Sequence, residues 1–345
     1  MNLRPPRSPL GGAERLDHFM ARAATAYYAG REAIGARGDF TTAPEMSQAF
    51  GECLGLWAAV VWQQMGAPAP VHLVEFGPGR GTLMADALRG IASAMPAFRA
   101  ALQVHLVETS PSLRARQAEA LGDGVAAWHE DATTLPPGPA IILGNEFLDA
   151  LPIRQFVRRG AGWAERFVQD GAFMEAPAQD HPPLPVEAPE GAIQEWSQAS
   201  ESFIATLATR LAAQGGAALF LDYGPAESGL GDSLQALSGH DAADPLAEPG
   251  SVDITAHVDF AALARVARTA GAAAHGPVPQ GLFLQSLGLV TRAAMLARAA
   301  PHTAGMQLSA AQRLVAPEGM GRLFKALALC HPQLPAPPGF EVSPA

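Results

Sequence analysis

The stretch Val71-His-Leu-Val-Glu-Phe76-Gly77-Pro-Gly79-Arg-Gly81 decides how this sequence folds. Its first six residues form an apolar run that is suited to a buried strand. The three glycines at alternate positions let the main chain turn sharply and approach a ligand, because no Cβ intervenes. Thr82 to Met95 then has helical spacing. Since ligands of open α/β sheets bind where a strand leads into such a turn, the stretch predicts a strand, a binding turn and a helix.

Strands and helices alternate along the rest of the chain. Short apolar runs predict strands at Gln103–Val107, Gly124–Trp128, Ala140–Gly144, Ala217–Tyr223 and Arg322–Cys330. Helical spacing predicts helices at Pro111–Leu121, Ile193–Gln214, Val258–Thr269 and within Phe283–Leu314. This alternation is typical of parallel βαβ units with right-handed crossovers. The sequence therefore predicts an α/β fold with a Rossmann-like, doubly wound parallel sheet.

The segments outside the alternating pattern predict additions to this sheet. Residues 16–65 have helical spacing around a turn-rich patch, with one long helix from Glu45 to Gln64, and we predict that residues 1–66 form an N-terminal helical cap. Residues 67–345 are predicted to form the main domain. Period-two alternation predicts hairpins in an insertion at about 153–190, and a Gly/Asp/Pro-rich loop lies within a second insertion at about 224–256. Residues 280–316 are predicted to be a helical segment.

Composition excludes several classes of function. Among 345 residues, 48% are apolar and the net charge is −10, which opposes nucleic-acid binding because phosphate contacts need clustered Lys and Arg. No run approaches the roughly 20 apolar residues that span a bilayer. Residues 1–12 are proline-rich and lack the hydrophobic segment of a secretory signal. We therefore expect no nucleic-acid partner, no membrane span and a cytoplasmic location.

Cysteine and histidine show no pattern of a metal site. Cys53 and Cys330 are far apart and lie in apolar surroundings, which favours buried free thiols. The ten histidines lack the spacing of a metal cluster. The sequence therefore predicts no bound metal.

The spacing of the glycines bears on the ligand. A dinucleotide fingerprint has two residues before its third glycine and uses the following helix for a pyrophosphate, whereas one residue separates Gly79 from Gly81. That spacing favours a ligand without a pyrophosphate, such as S-adenosylmethionine. A tight strand-to-helix turn without a ligand stays the alternative for an isolated motif of this kind.

Two further acids come after the next predicted strands at the same edge of the sheet. Glu108 comes 27 positions after Gly81, and an acid there can accept hydrogen bonds from both ribose hydroxyls. Asp131 comes after the third strand and is a candidate acceptor for an adenine amine. The alternative interpretations are a solvated strand-end carboxylate or a helix cap for either residue.

The fourth predicted strand leads into Asn145-Glu146-Phe-Leu-Asp149. Acids directly after a buried strand are costly to place without a purpose, and carboxylates suit the fork of a guanidinium. We predict that Asn145, Glu146 and Asp149 form the catalytic group, with capping of the following turn as the alternative. Methyl transfer from a sulfonium is an in-line displacement, so the protein has to align the reactants and exclude water.

These motifs together resemble the MidA-like methyltransferases, whose eukaryotic members are mitochondrial complex I assembly factors acting as protein arginine methyltransferases. The matching segments cover nearly the whole chain and occur in one order: residues 38–52, 75–81, 145–152, 221–224, 253–260 and 319–325. One departure is Leu148, where an aromatic residue commonly stands in this family. The mitochondrial location is not carried over, because residues 1–12 are too short and proline-rich for a transit peptide.

The resemblance implies a seven-stranded methyltransferase sheet and S-adenosylmethionine as cofactor. It implies that Glu75 and the turn at Gly77, Gly79 and Gly81 hold the cofactor and that Glu108 binds its ribose. A segment from Gly38 to Glu45 would close over the cofactor, with Asp39 and Thr42 in contact, although turn and helix-cap roles are the alternative for these polar residues. Asp222 and Tyr223 would line the substrate side.

Three functions agree with these observations. The first is a protein arginine methyltransferase with a protein substrate, linked to assembly of a respiratory complex. The second is a methyltransferase of a small molecule or another nucleophile. The third is a non-catalytic assembly factor that keeps the cofactor fold, because a fold alone does not fix function. A nicotinamide dehydrogenase is disfavoured by the one-residue gap between Gly79 and Gly81.

Overall fold

A computed structural model describes residues 12–30, 42–238 and 241–341 of the chain. Its contacts divide the chain into two units, each assembled from three separate segments. We call Ile34–Asp149, Ser202–Ser228 and Val258–Ala345 the sheet unit, and Met1–Ala33, Ala150–Glu201 and Gly229–His257 the small unit.

Strands and helices of both units are numbered in chain order. The strands are β1 (Glu14–Arg15), β2 (Val71–Phe76), β3 (Leu102–Val107), β4 (Ala127–His129), β5 (Ala140–Asn145), β6 (Arg154–Arg159), β7 (Gly162–Gln169), β8 (Ala172–Pro177), β9 (Ile193–Trp196), β10 (Gly216–Tyr223), β11 (Gln235–Ser238), β12 (Asp241–Ala243), β13 (Asp253–Thr255), β14 (Ala273–Pro279) and β15 (Phe324–Cys330). The α-helices are α1 (Leu16–Gly30), α2 (Ala43–Met46), α3 (Gln48–Gln64), α4 (Thr82–Ala94), α5 (Pro96–Ala101), α6 (Pro111–Leu121), α7 (Gln198–Gln214), α8 (Phe260–Thr269), α9 (Gln280–Ser286), α10 (Leu289–Ala299) and α11 (Ala304–Val315).

The sheet unit is built on a mostly parallel sheet. Among the described residues, seven strands lie in the order β14-β15-β10-β5-β2-β3-β4. Strands β10, β5, β2, β3 and β4 run parallel, and β15 runs antiparallel to both β10 and β14. Every residue of β2 is buried, as the apolar run Val71–Phe76 predicts. The α/β fold with a seven-stranded sheet is therefore confirmed.

Close packing of two helices fixes the position of α4, which comes directly after the glycine turn. A Cβ atom at Gly55 of α3 would lie 2.5 Å from the carbonyl oxygen of Ala87 in α4, and one at Gly51 would lie 2.6 Å from the Cβ of Asp86. The backbones approach so closely because these positions carry no side chain. Glycine in α3 thus sets where the N-terminus of α4 lies relative to the sheet.

The structure corrects three predicted elements and adds a strand that was not predicted. Residues 193–196 form strand β9, paired with β6, and the helix begins only at Gln198, because Ser197 Oγ accepts the N–H of Ser200 at 3.0 Å. The predicted helix from Glu45 is interrupted at Ser47, which has extended backbone. The Gly/Asp/Pro-rich loop predicted within residues 224–256 contains β11 and β12. Strand β14 was not predicted, because Gly276 and Pro277 interrupt it and such residues are typical of edge strands.

The small unit contains antiparallel sheets. Strands β1, β7, β6 and β9 pair in this order, β8 pairs with β7, and β12, β11 and β13 form a second sheet. Arg154 and Glu165 form a buried ion pair on β6 and β7, with an Nε–Oε1 distance of 2.6 Å. Helix α1 belongs to this unit and α3 to the sheet unit, so the division into a cap of residues 1–66 and a domain of residues 67–345 stays a prediction.

Two further observations concern the described residues as a whole. None of their helices combines the length and the apolar character that crossing a membrane demands. Cys53 and Cys330 are buried free thiols, and burial raises the pKa of each to about 12. Neither thiol is therefore reactive near neutral pH.

Candidate functional site

The glycine turn after β2 has the backbone that its sequence predicts. Gly77, Gly79 and Gly81 have φ angles of 62°, 52° and 83°, a region that favours glycine. A Cβ at Gly77 would lie 3.0 Å from the Phe147 ring, so a side chain there would also meet a neighbour. Gly81 is the N-cap residue of α4. The turn thus leaves room for a ligand at the N-terminus of this helix.

A cavity opens at this turn, and three stretches of the sheet unit line it. They lie around residues 42–45, 75–83 and 145–146. Six residues predicted for the site line this cavity: Thr42, Glu75, Gly77, Gly79, Asn145 and Glu146. The fold therefore brings together residues that are as much as a hundred positions apart in the sequence.

Four other predicted site residues do not line this cavity. Gly81, Glu108, Asp131 and Asp149 are not among the residues that line the cavity. Asp39 lies outside the described residues.

Glu75 is the most unusual acid of the cavity. Its side chain is buried, and burial raises its pKa to about 8, although the N–H of Met84 acts in the opposite direction. The Oε2 atom of Glu75 has no hydrogen-bond partner among the described residues, and neither has Oδ1 of Asn145. Buried acceptors are almost always hydrogen-bonded in folded proteins. These two atoms therefore indicate a ligand that donates hydrogen bonds to them.

Glu146 comes directly after β5 and has a left-handed backbone, φ 49°. Its Oε1 atom accepts hydrogen bonds from the Ala43 N–H at 2.9 Å and from Asn145 Nδ2 at 3.1 Å. Burial of the carboxyl raises its pKa to about 7, and the neighbouring Asp149 adds to the rise. Glu146 therefore changes protonation near neutral pH, as a general base does.

The first turn of α2 is attached to the glycine turn through Glu45, whose role the sequence left open. The carboxylate of Glu45 accepts a hydrogen bond from Thr82 Oγ1 and lies 3.5 Å from Nη1 of Arg80. All three residues line the cavity. Helix α2 is thus attached at one end to Glu146 and at the other to the start of α4.

Glu108 is oriented by a residue that the sequence analysis missed. Its carboxylate accepts hydrogen bonds from the Ser110 N–H at 2.8 Å and from Gln117 Nε2 at 3.3 Å, and burial raises its pKa. Gln117 Nε2 also donates to the carbonyl of Gly79 at 2.7 Å, and Gln117 Oε1 accepts from Trp128 Nε1 at 2.9 Å. Gln117 therefore connects the glycine turn with the acid of the next strand.

A pattern in the sequence does indicate Gln117. It lies four positions after Leu113 and four before Leu121, on the apolar stripe of α6, where a polar residue is unexpected.

Asp131 has the geometry of a cap. Its carboxylate is exposed and accepts hydrogen bonds from the N–H of Thr133 at 2.7 Å and the Thr133 hydroxyl at 2.5 Å. These hydrogen bonds lower its pKa. Asp222 does not line the cavity either, since it is buried and faces the backbone just after Glu146. The expectation that Asp222 lines the substrate side stays a prediction.

Comparison with known proteins identifies the family. A model of S-adenosyl-L-methionine-dependent methyltransferases matches residues 53–278. The chain belongs to this family. The protein arginine methyltransferase NDUFAF7 homolog, mitochondrial, of Drosophila melanogaster is 34% identical over 93% of this chain and 81% of its own length. The mitochondrial protein arginine methyltransferase NDUFAF7 of Mus musculus is also 34% identical, with the same two coverages.

A solved structure agrees with this membership. This methyltransferase is 28% identical to a crystal structure from Burkholderia thailandensis that holds S-adenosyl-homocysteine, with a TM-score of 0.79. The match covers 95% of this chain and 90% of the other. The chain is therefore a methyltransferase that uses S-adenosylmethionine.

The residues of the cavity fit this cofactor. S-adenosylmethionine carries an ammonium group, and Glu75 Oε2 and Asn145 Oδ1 are buried acceptors that lack a donor among the described residues. The glycine turn gives a ligand close access to the backbone because glycine has no side chain. Its left-handed φ angles also favour glycine, since other residues would be strained there.

Proposed function

We propose that this methyltransferase transfers a methyl group to arginine side chains of a protein substrate. The observation that carries the proposal is the lining of the cavity, where Glu146 and Asn145 lie beside the glycine turn. Hydrogen-bond acceptors at this edge suit a guanidinium, which donates in a planar fork. The relatives named as protein arginine methyltransferases support the same acceptor.

We assign the cofactor to the glycine turn. In this proposal Gly77, Gly79 and Gly81 provide close access to the backbone. Glu75 accepts from the ammonium group, and Thr42, the N-cap residue of α2, contacts the ligand. Glu108, held by Gln117, accepts from the ribose hydroxyls. Asp131 would act at the adenine end, and Asp39 stays a prediction, because it lies outside the described residues.

We assign the acceptor side to Glu146, Asp149 and Asn145. When bound, S-adenosylmethionine would supply an electrophilic methyl group on its sulfonium, with S-adenosylhomocysteine as the leaving group. The guanidinium nitrogen has to lose one proton, and Glu146, with its pKa near 7, is the group that we assign to accept it. Asp149 raises the basicity of Glu146 by its charge, and Asn145 orients the carboxylate through its Nδ2 hydrogen bond.

A calorimetric titration tests the cofactor site. S-adenosylmethionine, S-adenosylhomocysteine and NAD are titrated into the native protein, a Gly79→Val variant and a Gly66→Val control. Both glycines have positive φ, but a Cβ at Gly66 meets nothing within 4 Å and Gly66 does not line the cavity. We expect the adenosyl ligands alone to bind, and only Gly79→Val to lose them. Binding of NAD, or equal loss in both variants, would contradict the assignment.

A transfer assay tests the acceptor. The protein is incubated with methyl-tritiated S-adenosylmethionine and peptide libraries that carry either arginine or lysine at the central position. We expect label on the arginine library alone. Label on small amines but on neither library would support the alternative of a small-molecule methyltransferase, and cofactor binding without any transfer would support a non-catalytic assembly factor.

The cellular location stays a prediction. The names of the relatives from Drosophila melanogaster and Mus musculus call them mitochondrial, whereas composition led us to expect the cytoplasm. Fractionation of the source cells with an antibody to the chain decides between the two.

A further inference from the structure

Asp222, at the end of β10, binds three consecutive backbone N–H groups with one oxygen atom. Its Oδ2 accepts from Phe147 at 3.1 Å, from Leu148 at 2.8 Å and from Asp149 at 3.2 Å. Its Oδ1 accepts from the Tyr223 N–H at 2.9 Å. The side chain is buried, with 1% of its surface exposed. One carboxylate therefore satisfies the whole run of N–H groups directly after Glu146.

This arrangement matters because the turn begins in an unusual conformation. Glu146 has φ 49°, and residues with a side chain seldom adopt this region unless their surroundings hold them there. Parallel strands β5 and β10 bring the two residues together, with Asn145 in register with Leu221. Asp222 lies one residue beyond that pair on β10, and Glu146 is the first residue after β5. The neighbouring strand thus supplies the anchor of the turn.

The charges around this anchor include two further acids. Burial raises the pKa of Asp222, and the charges of Asp149 and Glu146 add to the rise, whereas the backbone N–H groups oppose it. Arg313 of α11 is the cation that acts on Glu146. The four N–H donors around Asp222 make this residue an acceptor within the protein rather than a group that faces the cavity.

We propose that Asp222 is a positioning residue that fixes the turn of residues 147–149 and thereby holds the Glu146 carboxylate against the Ala43 N–H. This inference rests on the proposed role of Glu146 in transfer. Whatever the methyl acceptor is, Asp222 and the amide of Ala43 are coupled through Glu146. The substitution of Asp222 is therefore expected to act at a distant backbone group.

Amide hydrogen exchange tests this coupling directly. The exchange rate of the Ala43 amide is measured by NMR in the wild type, Asp222→Ala, Glu146→Ala and the double variant. We expect each single variant to raise the rate at least tenfold and the double variant to add less than twofold, since both remove the same contact. Additive effects, or an unchanged rate in Asp222→Ala, would overturn the proposal.

The isosteric variant separates position from charge and remains available if Asp222→Ala fails to fold. Asn at this position keeps an oxygen for the N–H groups of residues 147–149 but turns its NH₂ group toward the Tyr223 N–H. We expect Asp222→Asn to keep exchange at Ala43 within threefold of the wild type. If the Ala43 amide exchanged as fast in Asp222→Asn as in Glu146→Ala, Asp222 would act through its charge and not through its position.

Transfer to the arginine peptide library is the second measurement. We expect Asp222→Ala to lower kcat at least tenfold and to raise the KM for S-adenosylmethionine, because α2 loses the same contact with Glu146 that Glu146→Ala removes. The control is Asp259→Ala, which removes a carboxylate that caps α8 by accepting from the Ala262 N–H, and is expected to leave kcat unchanged. A wild type without transfer activity but with coupled exchange would contradict the proposed function and leave the positioning role established.

Discussion

The Oε1 atom of Glu146 accepts a hydrogen bond from the N–H group of Ala43 at 2.9 Å, across 103 positions of the chain. Ala43 is the first residue of α2, and the next two residues of this helix, Pro44 and Glu45, line the cavity. The carboxylate that we assign to the chemistry is thus also the cap of the segment beside the cofactor site. In this assignment, proton transfer and the position of α2 depend on one side chain.

Two substitutions of Glu146 separate these tasks. Glu146→Gln keeps an Oε1 atom for the Ala43 N–H but cannot accept a proton. We expect this variant to lose transfer by about 100-fold or more while its affinity for S-adenosylhomocysteine stays within twofold. Glu146→Ala is expected to lose both transfer activity and affinity for S-adenosylhomocysteine, because α2 loses its hydrogen bond to Glu146. Kinetics and calorimetry measure the two effects, and full transfer activity in Glu146→Gln would remove Glu146 from the mechanism.

Gln117 is expected to determine both stability and cofactor affinity. Gln117→Leu removes three hydrogen bonds and leaves the indole N–H of Trp128 without its acceptor. Unsatisfied buried groups cost about 1–3 kcal/mol, so we expect the free energy of unfolding to fall by about 2 kcal/mol. We also expect about tenfold weaker binding of S-adenosylhomocysteine, because Glu108 and Gly79 lose their link.

A control at an exposed glutamine is Gln214→Leu. Gln214 Oε1 accepts from the Gly138 N–H at 2.8 Å, away from the residues that line the cavity. Urea unfolding and calorimetry are expected to show lower stability but native affinity. Native affinity in Gln117→Leu as well would show that Gln117 has only a structural role.

Binding of the cofactor is expected to release a proton. Burial raises the pKa of Glu75 to about 8, so its carboxyl is mostly protonated at pH 7 in the free protein. An ammonium group beside it favours the carboxylate and lowers that pKa. Titration with S-adenosylhomocysteine in two buffers of different ionisation enthalpy measures the protons released. We expect up to one proton for the wild type and a smaller number for Glu75→Gln, and an equal number in both would exclude Glu75 as the source.

The stability of the fold is expected to depend on a row of three histidines. His105 on β3 lies 3.1 Å from His72 on β2 and 3.0 Å from His129 on β4, each distance joining two ring nitrogens. Burial lowers the pKa of His105 from 6.5 to about 4, and the neighbouring histidines and Arg210 add to this. The folded protein therefore keeps His105 neutral at pH values where the unfolded chain protonates it.

This difference in protonation sets the sign of the effect. Below pH 6.5 the unfolded state binds a proton that the folded state does not, so stability falls as the pH drops from 6.5 to about 4. For His105 the loss is about 3 kcal/mol over that interval. Urea unfolding at several pH values measures it, and His105→Leu is expected to flatten the profile. The exposed residue His302 provides the control, since His302→Ala should leave the slope unchanged.

Local patterns in the sequence were enough to predict the central sheet and the glycine turn. The buried run Val71–Phe76 and the glycines after it determine their own backbone, and the acid Glu146 lies after a strand of the same kind. Long-range pairing is the information that local patterns do not contain. The hydrogen bond of Glu146 to Ala43 and those of Asp222 to residues 147–149 depend on which strands become neighbours.

The missed elements have similar causes. Residues 193–196 continue the helical spacing of residues 198–214, but pairing with β6 makes them a strand. Gly276 and Pro277 interrupt β14, so its sequence lacks the alternating pattern of a strand. The segment is a strand because it pairs with β15. Tertiary contacts override local preference at both places.

The order of synthesis adds a constraint on this sheet. Strand β15 lies between β10 and β14, yet it is the last strand of the sheet to leave the ribosome. Until Cys330 has emerged, one edge of β10 and all of β14 lack their hydrogen-bonding neighbour, and unpaired edges invite association with other chains. A stop codon a few codons before residue 324 would therefore remove a strand from within the sheet and separate β14 from β10. This edge of the sheet is therefore the one that stays unpaired longest in the nascent chain.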